Sequence, residues 1–272
     1  MSNILEKIIE TKRREVIERK ELFPTKLLEK ELYFSGPVVS LSSYLNRRDL
    51  VGVIAEIKRR SPSRGVIREH ISVEDISIGY MQAGASALSV LTDKEYFGGS
   101  SADLKTARRC NYAPILRKDF IIDEYQVIEA KSIGADVILL IAAALTPKEC
   151  RALARQARSL GLEVLLEVHS KVEFESHFSE EISLVGVNNR DLKTFNVSID
   201  LSYQLIPEIP KGIVAVAESG ISKPEDLVAL KKAGFKGFLI GETFMREGEP
   251  QEACARFISQ AESLIAKSVG VR

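Results

Sequence analysis

From residue 51 onward, short apolar runs alternate with longer segments in which apolar residues recur at helical spacing. Apolar runs of this length are typical of strands buried on both faces, and the helical spacing predicts amphipathic helices. Strands are predicted at 51–57, 86–91, 112–117, 136–142, 163–168, 182–188, 213–217 and 236–240. Helices are predicted near 73–83, 101–110, 123–133, 147–160, 170–178, 200–206, 223–233 and 250–267.

This strict alternation predicts an α/β fold with a parallel sheet. Eight strand–helix units without an obvious linker favour a closed (β/α)8 TIM barrel over an open doubly wound sheet. The open sheet usually carries a glycine-rich first turn, whereas the first turn here is Ser-Pro-Ser-Arg-Gly, 61–65. Gly84, Gly134 and Gly234 each separate a helix from the next strand, where a left-handed backbone is expected.

An amphipathic pattern also precedes the first strand. Residues 3–21 place apolar side chains at helical spacing among many charges, and Pro24 follows them. This pattern predicts an extra N-terminal helix outside the barrel. We therefore expect a single domain over 1–272, with a helical extension at 1–50 and the barrel at 51–272.

Charge and hydropathy argue against several classes of partner. The 272 residues carry 38 basic and 38 acidic side chains, and no basic stripe predicts nucleic-acid binding. No apolar run approaches the roughly 20 residues that span a membrane. The N-terminus lacks the apolar core of a signal peptide. A cytoplasmic location without nucleic-acid or membrane partners is therefore expected.

Residues that bind metals or take part in redox chemistry are few and scattered. Cys110, Cys150 and Cys254 form no CxxC pair, which is typical of a reduced compartment. The three histidines lack zinc-ligand spacing. No glycine-rich dinucleotide or P-loop motif occurs in the sequence. The sequence therefore predicts neither a metal nor a cofactor.

The end of the first strand carries the first candidate chemistry. Glu56 and Lys58 interrupt the apolar run and, being two residues apart, lie on one face of the strand. If that face is the inside of the barrel, an acid and a base lie together where charge is expensive. Alternatively, the strand leaves the core and both charges reach solvent. The loop at 61–65 has hydroxyls, free amides and an arginine, which suit an anionic ligand.

Other strand ends add polar groups at the same rim, where barrel enzymes carry their active sites. These are Lys118, Glu167, Asn188, Glu218 and Glu242. Each of them alone could be a solvated side chain. Together they predict a cup in which lysines and glutamates shift one another's pKa values for general acid–base catalysis. His169 shares strand parity with Glu167 and is assigned a structural role.

Two glycine-containing turns are candidate phosphate sites. Ser219 and Gly220 follow the seventh strand, and Gly241 and Glu242 follow the eighth, each pair ahead of a predicted helix. Backbone amides at helix N-termini bind phosphate, and barrels commonly use these two loops for it. The alternative is two ordinary turns. Glu242 suits an anion only if its side chain points away.

Aromatic residues follow the second and third strands. Tyr96 and Phe97 occupy a glycine-containing loop that either closes over an apolar substrate or is anchored in a surface groove. Phe120 either forms a wall of the pocket or packs in the core.

Across nearly its whole length, the chain resembles the indole-3-glycerol phosphate synthase family. The motifs that carry the resemblance are, in order, AEIKRRSPSRG (55–65), SVLTDKEYFGGS (89–100), PILRKDFI (114–121), LLEVH (165–169), GVNNRDL (186–192), AESGI (217–221) and LIGETFM (239–245). The family converts 1-(2-carboxyphenylamino)-1-deoxyribulose 5-phosphate to indole-3-glycerol phosphate, CO2 and water in tryptophan biosynthesis. The extra N-terminal helix also belongs to the resemblance.

The resemblance implies catalytic roles by position. Lys118 would be the general acid at the substrate carbonyl, and Glu167 would assist the later dehydration. Lys58 would meet the substrate carboxylate and donate a further proton. The residues implied to order the lysines and the substrate hydroxyls are Glu56, Asn188 and Glu218.

The resemblance also implies the substrate contacts. Phe97 and Phe120 would form the anthranilate pocket, and Arg190 would help to hold the polar part of the substrate. The residues implied to surround the phosphate are Ser61, Ser219, Gly220, Gly241 and Glu242.

Two other interpretations stay open. The chain could be a different phosphate-binding barrel, such as a sugar-phosphate isomerase or an aldolase in which Lys118 forms a Schiff base. It could also be a catalytically silent barrel that binds a phosphorylated metabolite. The expected partner is in each case a small phosphorylated molecule, and the expected state is a monomer or a weak dimer.

Overall fold

Eight parallel strands close into a barrel in the computed structural model, which describes residues 4–191, 194–268 and 270. In chain order the strands are β1 (Val53–Ile57), β2 (Ala87–Leu91), β3 (Ile115–Lys118), β4 (Val137–Ile141), β5 (Glu163–Val168), β6 (Leu184–Asn188), β7 (Val214–Glu218) and β8 (Gly237–Ile240). Each strand pairs with its sequence neighbours, and β1 pairs with β8, so the barrel sheet has no free edge. The predicted (β/α)8 barrel is confirmed.

A helix follows every strand, and further helices precede the barrel. The N-terminal extension contains α1 (Ile4–Leu22), α2 (Thr25–Leu28) and α3 (Leu41–Leu45). The barrel helices are α4 (Val73–Gln82), α5 (Ser101–Cys110), α6 (Glu124–Ser132), α7 (Pro147–Ser159), α8 (Lys171–His177), α9 (Asp200–Leu205), α10 (Pro224–Ala233), α11 (Glu242–Met245) and α12 (Pro250–Ser268). Short 3-10 turns occupy Ala142–Ala144 and Ile206–Glu208.

Alternation along the strands divides the core into two layers. Val53 and Ala55 of β1 belong to the apolar layer that includes the surrounding helices, whereas Ile54 belongs to the layer inside the barrel. Glu56 shares the inward face with Ile54, because side chains two residues apart on a strand point the same way. The same alternation turns Lys118 inward at the end of β3. Strand periodicity therefore places the polar groups at the carboxyl end of the barrel interior.

The other end of the barrel is closed by the N-terminal extension. Leu41 and Leu45 of α3 are 0% and 2% exposed and join the apolar layer inside the barrel. A Cβ atom on Gly237 would lie 2.9 Å from Leu45 Cδ1, so glycine is required where α3 meets β8. The extension thus packs directly on the barrel. The single domain with a boundary at residue 50 stays a prediction.

Most element bounds agree closely with the sequence pattern, and the exceptions have physical reasons. The first helix ends at Leu22, and residue 3 of the predicted helix lies outside the described residues. β3 begins at Ile115 rather than at 112, because Pro114 has no N–H to donate to a ladder and Tyr112 is 79% exposed. The sequence pattern missed α2, α3, α11 and the hairpin of Arg60–Ser61 with Gly65–Val66. Elements this short contain too few residues for a period to appear.

The predicted left-handed positions are confirmed. Gly84, Gly134 and Gly234 have φ angles of 93°, 93° and 124°. None of the helices within the described part of the chain combines the length and the apolar character needed to cross a bilayer.

Candidate active site

A cavity of about 370 Å³ opens at the carboxyl ends of the barrel strands. Every candidate site residue from the sequence lines this cavity: Glu56, Lys58, Ser61, Phe97, Lys118, Phe120, Glu167, Asn188, Arg190, Glu218, Ser219, Gly220, Gly241 and Glu242. Their assembly follows from the barrel, since the inward positions at the ends of neighbouring strands converge on one axis.

A partly exposed lysine and two buried glutamates form the centre of the cavity. Lys118 Nζ lies 2.5 Å from Glu167 Oε2 and 3.0 Å from Glu218 Oε2. Asn188 Nδ2 donates a hydrogen bond of 3.0 Å to Glu167 Oε1. Glu218 Oε1 has no hydrogen-bond partner among the residues that the structure describes. We call Lys118, Glu167 and Glu218 the open cluster, because all three side chains face the cavity.

The two carboxyl groups of the open cluster have opposite pKa shifts. Burial alone would raise the pKa of Glu167, but the adjacent ammonium of Lys118 offsets burial and lowers it below the ordinary value. Burial raises the pKa of Glu218 to about 7, and the nearby charge of Glu167 adds to the rise. The pKa of Lys118 is raised: burial would lower it, but the surrounding carboxylates, with Glu167 foremost, outweigh burial. The lysine is therefore cationic at neutral pH.

A second acid–base pair lies on β1 and the residue after it. Lys58 Nζ is 2.7 Å from Glu56 Oε1, and the two side chains are 17% and 4% exposed. Both residues line the cavity, so the charges do not simply reach solvent where the strand leaves the core. The cavity therefore contains two ammonium groups, each held by at least one carboxylate.

His169 lies beside Glu167 rather than in the cavity lining. Its Nε2 is 3.4 Å from Glu167 Oε1, and its Nδ1 is 3.5 Å from Glu173 Oε2. Burial would lower the pKa of His169, but these two carboxylates outweigh burial and raise it. The shared strand parity with Glu167 had indicated this proximity, although the sequence interpretation assigned the histidine a structural role.

One end of the cavity is aromatic and apolar. The rings of Phe97 and Phe120 stand 5.9 Å apart between centroids, with an interplanar angle of 41°. Ile4, Leu5 and Ile8 of α1 also line the cavity. Sequence reasoning missed these three residues, because an amphipathic pattern identifies an apolar face but not the surface that this face covers.

The loops after β7 and β8 lie at another part of the cavity. Ser219 and Gly220 have φ angles of 62° and 78°, so both backbones are left-handed. Gly241 directly precedes α11, whereas α10 begins only at Pro224, so Gly220 lies within the loop rather than at the helix. The polar loop expected after each strand is present, but only Gly241 is adjacent to a helix.

The two loop glycines are required by neighbouring protein atoms. A Cβ on Gly220 would lie 2.7 Å from Val197 Cγ1, and a Cβ on Gly241 would lie 2.6 Å from Glu56 Oε1. A side chain at Gly241 would therefore disturb the acid–base pair on β1. The sequence argument had considered only crowding of a bound anion.

Three arginines surround the carboxylate of Glu242. Arg64 Nε lies 3.1 Å, Arg246 Nη1 3.5 Å and Arg190 Nη2 3.7 Å from its oxygens. The negative charge of Glu242 is thus balanced by arginines at the cavity lining. The sequence argument had instead required its side chain to point away from a bound anion. Sequence reasoning named only Arg190 of the three, although Arg64 was part of the positive charge noted in the 61–65 loop.

Among the residues that the structure describes, no group of three or more histidine, cysteine, aspartate or glutamate side chains could hold a metal ion.

Comparison with known proteins identifies the family. A sequence model of the indole-3-glycerol phosphate synthase family matches residues 5–257. The indole-3-glycerol phosphate synthase of Bacteroides thetaiotaomicron is 48% identical over 258 residues, which cover 95% of this chain and 98% of that protein. The protein of the same name from Dechloromonas aromatica is 44% identical over 262 residues, with 95% and 100% covered.

Solved structures with similar folds are more distant in sequence. Thiamine phosphate pyrophosphorylase from Pyrococcus furiosus has a TM-score of 0.59 at 16% identity, covering 80% of this chain and 98% of that chain. A chain of the tryptophan synthase complex from the same organism has a TM-score of 0.58 at 15% identity, covering 79% and 99%. At such low identity these structures show the fold alone. The family model and the curated relatives, which match nearly the whole chain, show that the chain belongs to the indole-3-glycerol phosphate synthase family.

Proposed function

We propose that this chain converts 1-(2-carboxyphenylamino)-1-deoxyribulose 5-phosphate to indole-3-glycerol phosphate, CO2 and water. The observation that carries the proposal is the open cluster, in which the Lys118 ammonium lies between Glu167 and Glu218 in the same cavity as two aromatic rings. This arrangement can bring an acid and a base to one aromatic substrate. Membership of the family, whose curated members carry the name of this activity, supports it.

The cavity suggests an orientation for the substrate. The anthranilate ring lies against Phe97 and Phe120, where aromatic contacts and apolar burial favour it. The phosphate lies at the left-handed backbone of Ser219 and Gly220, together with the other candidate anion contacts. These contacts are Ser61, Gly241, Glu242 and the arginines that pair with Glu242, of which Arg190 is one. The extended ribulose chain then passes the open cluster between the two ends.

Ring closure requires an activated carbonyl. The ring carbon that carries the carboxylate attacks the C2 carbonyl carbon, and Lys118 donates a proton to the carbonyl oxygen as the new carbon–carbon bond forms. The anilino nitrogen, which becomes part of the new five-membered ring, takes the positive charge. Lys58 holds the carboxylate during this step. Loss of CO2 then returns the electron pair of the broken bond to the ring. The positive ring nitrogen is the electron sink that this decarboxylation needs.

Dehydration completes the indole. The ring nitrogen expels the new hydroxyl group as water, with Lys58 supplying the proton, and Glu167 removes a proton from the neighbouring carbon. A carboxylate with a lowered pKa is ionised and ready for this role at neutral pH. Glu56 and Asn188 position Lys58 and Glu167 through the 2.7 Å and 3.0 Å contacts, while Glu218 holds the ammonium of Lys118.

The environment of Lys118 disfavours a Schiff-base aldolase. A Schiff-base lysine attacks as the neutral amine, which requires a lowered pKa. The pKa of Lys118 is instead raised by the surrounding carboxylates. Treatment with borohydride in the presence of substrate is therefore expected to leave Lys118 unmodified, and a trapped adduct would favour the aldolase.

The activity can be tested directly. The chain contains no tryptophan, so the absorbance and fluorescence of an indole product appear without an indole background from the protein. We expect an indole signal on incubation with the carboxyphenylamino-deoxyribulose phosphate, with release of one CO2 per indole. Recovery of unchanged substrate from folded protein would contradict the proposed function. A cytoplasmic location and a monomeric or weakly dimeric state belong to the proposal as predictions from composition.

A further inference from the structure

A buried lysine lies under the aromatic end of the cavity. Lys12 of α1 is 3% exposed, and its Nζ lies 2.9 Å from Asp93 Oδ2, 3.0 Å from Asp119 Oδ1 and 2.7 Å from Glu15 Oε2. Asp93 and Asp119 are themselves 0% and 4% exposed. Charges at this depth are costly unless they are paired. We call Lys12, Asp93 and Asp119 the sealed cluster.

Asp93 holds the backbones of two aromatic residues, and Asp119 holds the backbone of a third. Asp93 Oδ1 accepts hydrogen bonds from the N–H groups of Tyr96, at 2.8 Å, and Phe97, at 3.1 Å. Asp119 Oδ1 accepts the N–H of Phe120 at 2.8 Å. The same ammonium therefore joins the two carboxylates that fix the two rings facing each other in the cavity.

The two aspartates differ in how else they are held. Asp119 Oδ2 also accepts hydrogen bonds from Thr92 and Arg117, at 2.5 Å and 3.2 Å. Within the described part of the chain, Lys12 is the only cation in an ion pair with Asp93. The Lys12 ammonium thus links the loop that carries Phe97 to the loop that carries Phe120. A second contact from α1, between Thr11 Oγ1 and the Tyr96 hydroxyl at 3.1 Å, lies alongside it.

Lys12 keeps its charge in this environment. Burial alone would lower its pKa, but the carboxylates of Asp119 and Asp93 outweigh burial and raise it. The attachment is therefore ionic throughout the neutral pH range.

We propose that Lys12 is a positioning residue that sets the spacing of the Phe97 and Phe120 rings and thereby the affinity for the aromatic end of the substrate. The inference rests on the proposed function, which places an anthranilate ring at these two side chains. Lys12 does not line the cavity, so it acts through the two aspartates. Without the ammonium, two buried carboxylates repel each other and the Phe97 loop loses its ionic link to the Phe120 loop.

The first test replaces the ammonium and keeps most of the side-chain volume. Lys12→Met should weaken binding of the reduced substrate analogue, 1-(2-carboxyphenylamino)-1-deoxyribitol 5-phosphate, by about tenfold, the factor expected for one lost aromatic contact. The inhibition constant of inorganic phosphate should stay within about twofold, because phosphate binds at the other loops. A general loosening of the barrel would instead weaken both ligands.

A matched control comes from the same helix. Lys20 pairs with Asp123 at 2.8 Å on the exposed side of α1. Lys20→Met should leave the affinity for the analogue and the KM of the substrate within about twofold of wild type. In Lys12→Met, by comparison, KM should rise more than kcat falls.

A second variant is needed in case Lys12→Met does not fold, because loss of one partner from a buried ion pair is strongly destabilising. The double variant Lys12→Met/Asp93→Asn removes one charge of each sign and keeps an acceptor for the Phe97 N–H. Asp119 retains Arg117 as its cation. The double variant should fold, as judged by circular dichroism, and bind the analogue about tenfold more weakly than wild type.

The outcomes separate the inference from the proposed function. Wild-type protein that neither binds the analogue nor forms indole would remove the proposed function. Wild-type activity combined with wild-type affinity for the analogue in a folded Lys12→Met or double variant would overturn the inference alone. Equal weakening of phosphate and analogue would also overturn it, because it would indicate a structural effect on the whole cavity.

Discussion

The open and the sealed clusters each contain one lysine paired with two buried carboxylates, and Lys12 also pairs with the partly exposed Glu15, but their surroundings differ. In the sealed cluster, backbone N–H groups donate to both carboxylates, and the lysine side chain is 4% exposed. In the open cluster, Lys118 is 14% exposed and lines the cavity, whereas Lys12 does not. An ammonium that is closed off from the cavity fixes structure, whereas one that lines the cavity leaves its protons available to a ligand. The comparison indicates where chemistry occurs and where the protein holds shape.

The largest expected effect comes from the open cluster. Lys118→Met should lower kcat by about 10²–10⁴-fold, the usual contribution of a general acid. The fold should persist, since the side chain ends in the cavity rather than in the apolar core. Steady-state kinetics and circular dichroism check both points. A folded variant with nearly wild-type kcat would contradict the catalytic role of the open cluster, because the cluster would then be structural.

Next in size is the loss of the ring that the sealed cluster positions. Phe97→Ala should weaken binding of the reduced analogue by about 1–3 kcal/mol through lost burial and aromatic contact. If Lys12 acts through this ring, Lys12→Met should add little in the Phe97→Ala background. Isothermal titration of the two single variants and the double variant gives this coupling. Fully additive losses would show that Lys12 acts elsewhere.

The clusters should also differ in how stability depends on pH. The pKa of Glu218 is raised from 4.5 to about 7 in the folded protein, so folding retains a proton there, and stability falls as pH rises through that window. Glu218→Gln should remove this fall, a relative gain of roughly 1–3 kcal/mol at pH 8.

In the sealed cluster, the stability of the fold should change with pH in the opposite direction. Burial alone would raise the pKa of Asp119, but Lys12 and Arg117 hold it below its unfolded value of 3.8. The stability that this pairing contributes is therefore present above that pH and is lost in acid. Denaturant unfolding of wild type and Glu218→Gln from pH 4 to 8 tests the Glu218 window, and unfolding of wild type below pH 4 tests the acid loss. Parallel pH profiles for the two proteins would contradict the assignment of Glu218.

The smallest effect is expected at the phosphate end. Gly220→Ala places a Cβ at a φ of 78° and 2.7 Å from Val197, which should shift the loop and raise KM about tenfold. The kcat should change less, since phosphate binding is largely uniform between the ground and transition states. Gly241→Ala is the informative partner variant, because its Cβ contacts Glu56 and should lower kcat as well. Identical KM and kcat changes in the two variants would argue against separate roles for the two turns.

Much of the fold and of the candidate site could be predicted from local pattern. Apolar runs located the strands, and strand parity put Glu56 and Lys58 on one face of the first strand. The barrel rule then predicted one shared rim, which the cavity lining matches. The motif order indicated the family that the comparisons later identified.

The contacts that the local sequence pattern could not predict join residues that lie far apart in the chain. Lys12 is one of many charges on an amphipathic helix, and its burial against Asp93 and Asp119 depends on where α1 packs. The cavity contacts of Ile4 and the closure of the barrel by Leu41 have the same origin.

The sequence alone predicted the strands, the side chains that share a strand face and the polar residues at the rim, because strand periodicity and strand order are local and repetitive. Only the tertiary structure decided which buried charges meet. Desolvation and pairing depend on all elements packed around a group rather than on its neighbours in the chain. This is why two lysines that look alike in the sequence belong to an open cluster in one case and a sealed one in the other.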